Sequence, residues 1–168
     1  MTEGAELIME AKVLTVSDGV IAGTRDDRSG RALGTLLGEA GWVVVDRQVV
    51  EDGEGVVAST LRALCAGFTG LVVTTGGTGF APRDQTPEGT RAVIERDAPG
   101  LAEAMRAANP GPGRLSRGVA GVVGRCVVLN TPGSPGGAVE CLGAVLDALP
   151  HAVLLLADVP TEHPQSVR

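Results

Sequence analysis

Residues 70–87 read GLVVTTGGTGFAPRDQTP. The run 70–75 is short and apolar and ends in hydroxyls, the pattern of a buried strand. TTGGTG at 74–79 then breaks it. Glycines accept left-handed backbone angles and let amide N–H groups point at an anion, and Thr74, Thr75 and Thr78 add hydroxyl donors. An ordinary tight turn is the competing reading. Next, Thr86 and Pro87 predict a helix start: a capping hydroxyl, proline at the first helical position, and Glu88 in the first turn. That helix is expected to run to about Asp97. The loop belongs to neither familiar phosphate-loop class. No Gly-Lys-Ser/Thr follows it, and Pro82 stands where a dinucleotide fingerprint needs its last glycine.

The same alternation extends in both directions. Upstream, 11–17 (AKVLTVS) reads as a strand and 18–30 as a loop. A helix follows, with Leu33, Leu36, Leu37 and Ala40 on one face and Gly41 as its stop. Residues 42–50 form a second strand, and 54–66 a helix with Val57, Leu61, Leu64 and Cys65 inward. Downstream, Pro99-Gly100 breaks the chain before a helix at 101–108, and 109–113 is a loop. Strands at 119–123 and 125–129 meet at Gly124. NTPGSPGG at 130–137 is a second glycine- and proline-rich loop. Val139, Leu142, Val145, Leu146 and Leu149 share one helix face, and Pro150 opens a last helix to about Ala157. Alternating strands and helices predict an α/β fold with a mainly parallel sheet and helices on both sides. Residues 1–10 are expected to be a flexible leader, 11–157 one domain, and 158–168 a polar tail.

Composition bounds the function. The chain has 168 residues, enough for one domain with its own core. Aromatics are limited to Trp42, Phe68 and Phe80, so Val, Leu, Ile and Ala must build the interior. A net charge of -6, scattered arginines and a lone lysine, Lys12, argue against a nucleic-acid footprint. Cys65, Cys126 and Cys141 are far apart, no CxxC occurs, and His151 and His163 are the only histidines, so a zinc site is not expected. Three reduced, buried cysteines are expected instead, in a reducing compartment. Residues 1–12 lack the apolar run of a signal peptide, and 152–157 is far too short to span a bilayer. The expected location is the cytoplasm.

In such sheets the ligand sits outside the carboxyl ends of the strands. The loops 18–30, 51–55, 76–87 and 130–137 all follow predicted strands, so they should gather at one edge. Asp84 sits beside the glycine loop, just before a helix. A carboxylate there can bind Mg²⁺ and help hold a triphosphate; a solvated capping acid is the competing reading. PGSP at 132–135 opens a helix whose N-terminus favours anions, and Ser134 can donate to a phosphate. Two such cradles suggest a ligand with more than one anionic group. Asp18, Asp27 and Ser29-Gly30 in the first loop and Asp52 after the second strand belong to the same edge. Carboxylates clustered beside phosphate cradles make sense mainly with a metal between them. No Ser–His or Cys–His pairing is suggested, which favours direct transfer over a covalent enzyme intermediate.

SDxxxxG and DxSG within 17–30, TTGGTG at 74–79, RDxTPE at 83–88, LSRG at 115–118 and PGSP at 132–135 occur in this order. In this combination the sequence resembles the molybdopterin adenylyltransferases, the Mog/MoaB-like proteins of molybdenum cofactor biosynthesis, over residues 11–157. The resemblance implies a three-layer α/β/α molybdopterin-binding domain, usually a homotrimer. It implies transfer of AMP from ATP to the terminal phosphate of molybdopterin, with Mg²⁺ and release of pyrophosphate. The product would pass to the molybdenum-insertion enzyme of the pathway. Mapped onto this chain, Asp52 and Asp84 are the implied catalytic and metal-binding residues. Asp27, Ser29, Gly30, Thr75, Gly76, Gly77, Thr78, Gly79, Pro132, Gly133, Ser134 and Pro135 are the implied pterin-binding set. A molybdopterin-binding module without catalysis is the alternative.

Overall fold

A computed structural model of the chain describes residues 7–161. In chain order the elements are β1 (Glu10–Val16), α1 (Asp18–Ile21), α2 (Arg28–Glu39), β2 (Val43–Val50), α3 (Glu54–Cys65), β3 (Thr69–Thr75), α4 (Thr86–Arg91) and β4 (Arg96–Asp97). Then come α5 (Pro99–Ala108), a short 3-10 turn at Pro112–Leu115, β5 (Ala120–Val123), β6 (Arg125–Thr131), α6 (Pro135–Gly143) and α7 (Leu149–Leu156). The sheet has six strands in the order β2-β1-β3-β6-β5-β4. β2, β1, β3 and β6 are parallel, and the tight turn at Gly124 makes β5 antiparallel to β6.

Neighbouring residues of a strand point to opposite faces, and this splits the core in two. Val13, Leu71, Val73, Val127 and Leu129 face a layer made by α2, α5, α6 and α7, through Leu33, Leu37, Met105, Leu142 and Leu149. Leu14, Val16, Val72 and Val128 face the other way, onto Val57, Leu61 and Leu64 of α3 and Val93 after α4. The chain is therefore a three-layer α/β/α domain. Each fully buried leucine contributes about 1.5–3 kcal/mol relative to exposure, which is how a core almost free of aromatics suffices. Cys65, Cys126 and Cys141 are all buried and unpaired.

Several boundaries differ from expectation. The helix expected over 86–97 ends at Arg91, because the next residues are captured by the sheet. Glu95 N–H donates to the Val122 carbonyl, and Arg96 and Asp97 pair with Val122 and Gly121 of β5. Thr86 is not the cap of α4. Gln85 holds that position without a side-chain bond, and Thr86 is the first helical residue. The apolar stripe from Val139 to Leu149 spans two helices, since α6 stops at Gly143 and a turn carries Val145 into the core. Periodicity reports burial, and a buried turn shares it. The first loop contains the four-residue helix α1, capped by Ser17. β6 runs on to Thr131, so the loop after it is shorter than expected. The leader expected at 1–10 partly lies outside the described residues. Within them, Leu7 and Met9 pack on the core and Glu10 opens β1. Of the polar tail, only 158–161 is described.

Candidate functional site

From β1 the chain crosses to β2 on one side, and from β3 to β6 on the other, so the strand order reverses between β1 and β3. Open α/β sheets carry their ligand crevice at such a point, beyond the carboxyl ends of the strands. Here that crevice is a cleft of about 740 Å³. It is lined by Ser29 from the first loop and Asp52 from the second. Thr75, Gly76, Gly77, Thr78, Gly79 and Asp84 come from the third, and Pro132, Gly133, Ser134 and Pro135 from the fourth.

Each wall has a physical cause. Gly76 has φ +96°, and its N–H donates to the Thr131 carbonyl at 3.1 Å, stitching the glycine loop to the end of β6. Ser134 caps α6, its oxygen accepting from Gly137 N–H at 3.2 Å, so the hydroxyl proton stays free to face the cleft. Thr75 differs from expectation. Its hydroxyl proton goes to the Pro132 carbonyl at 2.7 Å, which ties the two cradles together and leaves only lone pairs for a ligand. Thr74 is fully buried and accepts from Asn130, so it does not reach the cleft. Thr78 remains as the hydroxyl of the glycine loop that lines it.

Asp27 and Gly30 stand behind the wall rather than in it. The Asp27 carboxylate accepts from Thr15 Oγ1 at 2.8 Å and from Gly30 N–H at 3.0 Å, capping α2, and pairs with Arg47. A Cβ on Gly30 would lie 2.4 Å from Thr15 Oγ1, so only glycine allows that packing. Both residues shape the first loop from beneath, while their neighbour Ser29 lines the cleft.

Two arginines organise the carboxylates, and sequence reading gave neither of them a role. Asp18 and Asp52 exchange backbone-to-carboxylate bonds. Asp18 N–H donates to Asp52 Oδ2 at 2.9 Å, and Asp52 N–H to Asp18 Oδ1 at 3.1 Å. Arg83 closes this pair by donating to both Asp18 oxygens and, at 2.8 Å, to the Asp52 carbonyl. The hydrogen-bonded guanidinium holds the Asp18 carboxyl below the usual carboxylate range. Asp52 moves the opposite way. Partial burial raises its pKa first, and the nearby charges of Asp18 and Asp84 raise it further. Arg117, from LSRG, donates to the carbonyls of Gly79 at 2.8 Å and Asp84 at 2.6 Å and pairs with Glu88. It thereby clamps the glycine loop, Asp84 and α4 together. The cleft also contains Ser17, Arg25, Asp26, Arg28 and Ser116, to none of which the sequence had assigned a role. A basic pair flanking Asp26-Asp27 was the available signal for the two arginines.

The arrangement offers backbone amides, the hydroxyls of Ser29, Thr78 and Ser134 and the carboxylates of Asp26, Asp52 and Asp84 around one cleft. A family model described as "Probable molybdopterin binding domain" matches residues 12–151. The chain belongs to this family. A molybdopterin adenylyltransferase of Helicobacter pylori strain J99 is 37% identical to it over 150 residues, covering 86% of this chain and 85% of that protein. The molybdenum cofactor synthesis protein cinnamon of Drosophila melanogaster is 38% identical over 154 residues, 87% of this chain but 25% of that much longer protein. Among solved structures, the molybdopterin biosynthesis enzyme MoaB of Thermus thermophilus superposes with a TM-score of 0.85 at 43% identity, covering 92% of this chain and 100% of that one.

In this molybdopterin-binding domain the Arg117–Glu88 pair makes stability depend on pH. The hydrogen-bonded guanidinium depresses the Glu88 pKa below its ordinary 4.5. A depressed acid stabilises the fold above its unfolded pKa, and the contribution disappears as pH falls through the folded value. Glu88→Gln is therefore expected to lower the melting temperature at pH 7, with the gap to wild type closing below about pH 4. Thermal melts of both proteins between pH 3 and pH 7 check this. A gap that persists at the acid end would show that the charge is not its source.

Proposed function

We propose that this chain is a molybdopterin adenylyltransferase. It binds molybdopterin in the cleft and transfers AMP from ATP to the terminal phosphate. In this reaction a phosphate oxygen of molybdopterin bonds to the α-phosphorus of ATP. The bond from that phosphorus to the β-bridging oxygen breaks, and pyrophosphate leaves. The observation that carries the reading is the convergence of the glycine loop, the Ser134 cap and the carboxylates of Asp52 and Asp84 on one cleft. The Helicobacter pylori relative, matched over most of both chains, bears the name of this activity.

The residues present fit a magnesium ion that is completed by substrate. Among the described residues no cluster of three or more His, Cys, Asp or Glu forms a metal cage. Mg²⁺ at nucleotide sites is held by one or two carboxylates plus phosphates, and Asp52 and Asp84 supply such a pair. When bound, it would neutralise charge on the phosphates. The chain's own contribution is to hold the two anions close. Amides of Gly77, Thr78 and Gly79 and the Ser134 hydroxyl seat phosphate, Thr75 and Arg117 fix the loops, and Arg83 keeps the Asp18 charge away from the ligand. In the remaining details the proposed enzyme is a cytoplasmic homotrimer, readable by light scattering at micromolar concentration. Its adenylylated product is passed to the molybdenum-insertion enzyme. No helix among the described residues is long and apolar enough to cross a membrane.

The direct experiment mixes the pure protein with ATP, Mg²⁺ and molybdopterin. The expected result is adenylylated molybdopterin and pyrophosphate in equal amounts. Molybdopterin bound but unmodified would leave a binding module without catalysis.

A further inference from the structure

Thr86 is fully buried, and its Oγ1 has no hydrogen-bond partner among the described residues. Its backbone is satisfied: the N–H donates to the Gly77 carbonyl at 3.1 Å, and the carbonyl accepts from the Thr90 hydroxyl at 2.7 Å. An orphaned buried hydroxyl is costly, and valine would fill the same volume without that cost. A threonine here calls for a partner. Gly77 shows where the partner is. A Cβ on Gly77 would lie 2.2 Å from Thr86 Oγ1 and 3.0 Å from Asp52 Oδ1, so both oxygens close on the space a side chain would take. Asp52 Oδ2 is already held by the Asp18 amide, whereas Oδ1 accepts no bond among the described residues. A free donor and a free acceptor thus lie near one point beside the glycine loop, not yet bonded to each other.

We propose that Thr86 is a positioning residue whose hydroxyl donates to Oδ1 of Asp52 and fixes that carboxylate against Gly77. The terminal torsion of an aspartate is broad, so the carboxylate can turn to close the contact. With Oδ2 on the Asp18 amide and Oδ1 on Thr86, the carboxylate is anchored at both ends. With Oδ2 alone it pivots. A group that must meet developing charge works best when it is already in place, and this anchoring sets the rate more than the binding. Gly77 is then required because its missing side chain leaves room for the contact.

This inference rests on the adenylyl-transfer reading, and the test separates the two. Thr86→Val keeps the shape and removes the donor; Thr86→Ser keeps the donor. The valine variant is expected to fold and to melt only a few degrees below wild type, the cost of one lost hydrogen bond. Its KM for molybdopterin stays within about twofold of wild type, and kcat falls about ten- to a hundredfold, the range for losing a bond to a charged group. Serine restores most of kcat. A valine variant with wild-type kcat overturns the proposal, as does one that loses stability while kcat is kept. A second arm needs no reaction. Crystal structures of wild type and Thr86→Val are expected to show Oγ1 within about 3.2 Å of Asp52 Oδ1 in the former and a turned carboxylate in the latter. A wild-type hydroxyl bonded elsewhere overturns it. If the wild type transfers no AMP, the adenylyl-transfer reading alone fails, and the crystallographic arm still decides the role of Thr86.

Discussion

Asp84→Asn is expected to slow AMP transfer by on the order of 10²–10³ while leaving molybdopterin bound, the loss typical of a preorganised electrostatic group. The argument is one of charge. Attack by one phosphate on another brings two anions together. A carboxylate that holds or orients the neutralising ion acts mainly in the transition state. Asn has the same shape but lacks the charge. The fold gives little reason for it to fail otherwise. Asp84 caps no helix, because Gln85 occupies the cap position of α4. Its Oδ2 accepts from Ala81 N–H at 3.0 Å, closing a local turn, and the amide oxygen of Asn can accept the same bond. Its carbonyl, held by Arg117, is untouched by the substitution. The melting temperature should therefore stay near wild type, and molybdopterin affinity should hold or tighten as a negative charge leaves the cleft. Turnover, affinity and thermal melts of the one variant check all three. A normally folded variant with an unchanged rate would mean Asp84 serves only the turn.

Gly76→Ala is expected to remove a large share of the stability of the domain, more than about 4 kcal/mol against the roughly 5–15 kcal/mol usual for a fold of this size. Two costs add. The φ of +96° is a backbone region that side chains other than hydrogen rarely occupy, at about 1–3 kcal/mol. The added Cβ would also lie 2.2 Å from the Val16 carbonyl oxygen, a backbone atom at the end of a central strand that cannot swing aside. Gly67→Ala separates the two terms, since Gly67 has φ +65° with nothing within 4 Å of its Cβ position. It should lose only the backbone share. Urea unfolding of both variants reads the difference. Equal losses would show that the approach to Val16 carries no weight.

Much of the architecture was legible because burial leaves a direct trace in sequence. The run 71–73 could only be an interior strand, and the glycine- and proline-rich loops after such strands had to meet where the strand order reverses. The residues that failed are those whose behaviour is set at long range. Arg83 and Arg117 look like surface arginines until their partners, 65 and 38 positions away for Asp18 and Gly79, are known. Asp27 and Ser29 carry similar local signals, yet one turns under the loop toward Thr15 and the other into the cleft. Residues 92–97 have a plausible helical pattern, and a sheet edge in need of a partner takes them instead. Thr86 reads as a cap from its neighbours in sequence, but the register of α4 moves that position back to Gln85.

The pairing of β3 with β6 also has a consequence in time. Thr74 lies opposite Asn130, 56 residues later, and Gly76 waits for the Thr131 carbonyl. Closing so long a loop is slow, because chain entropy is lost before the contacts repay it. On a growing polypeptide the glycine loop therefore emerges well before the strand that fastens it. Until residues 125–131 have been synthesised and have docked, β3 presents one apolar edge with no partner. The cleft at the switch point is then a late product of folding, and a chain interrupted before β6 keeps every residue of TTGGTG without the geometry that forms it.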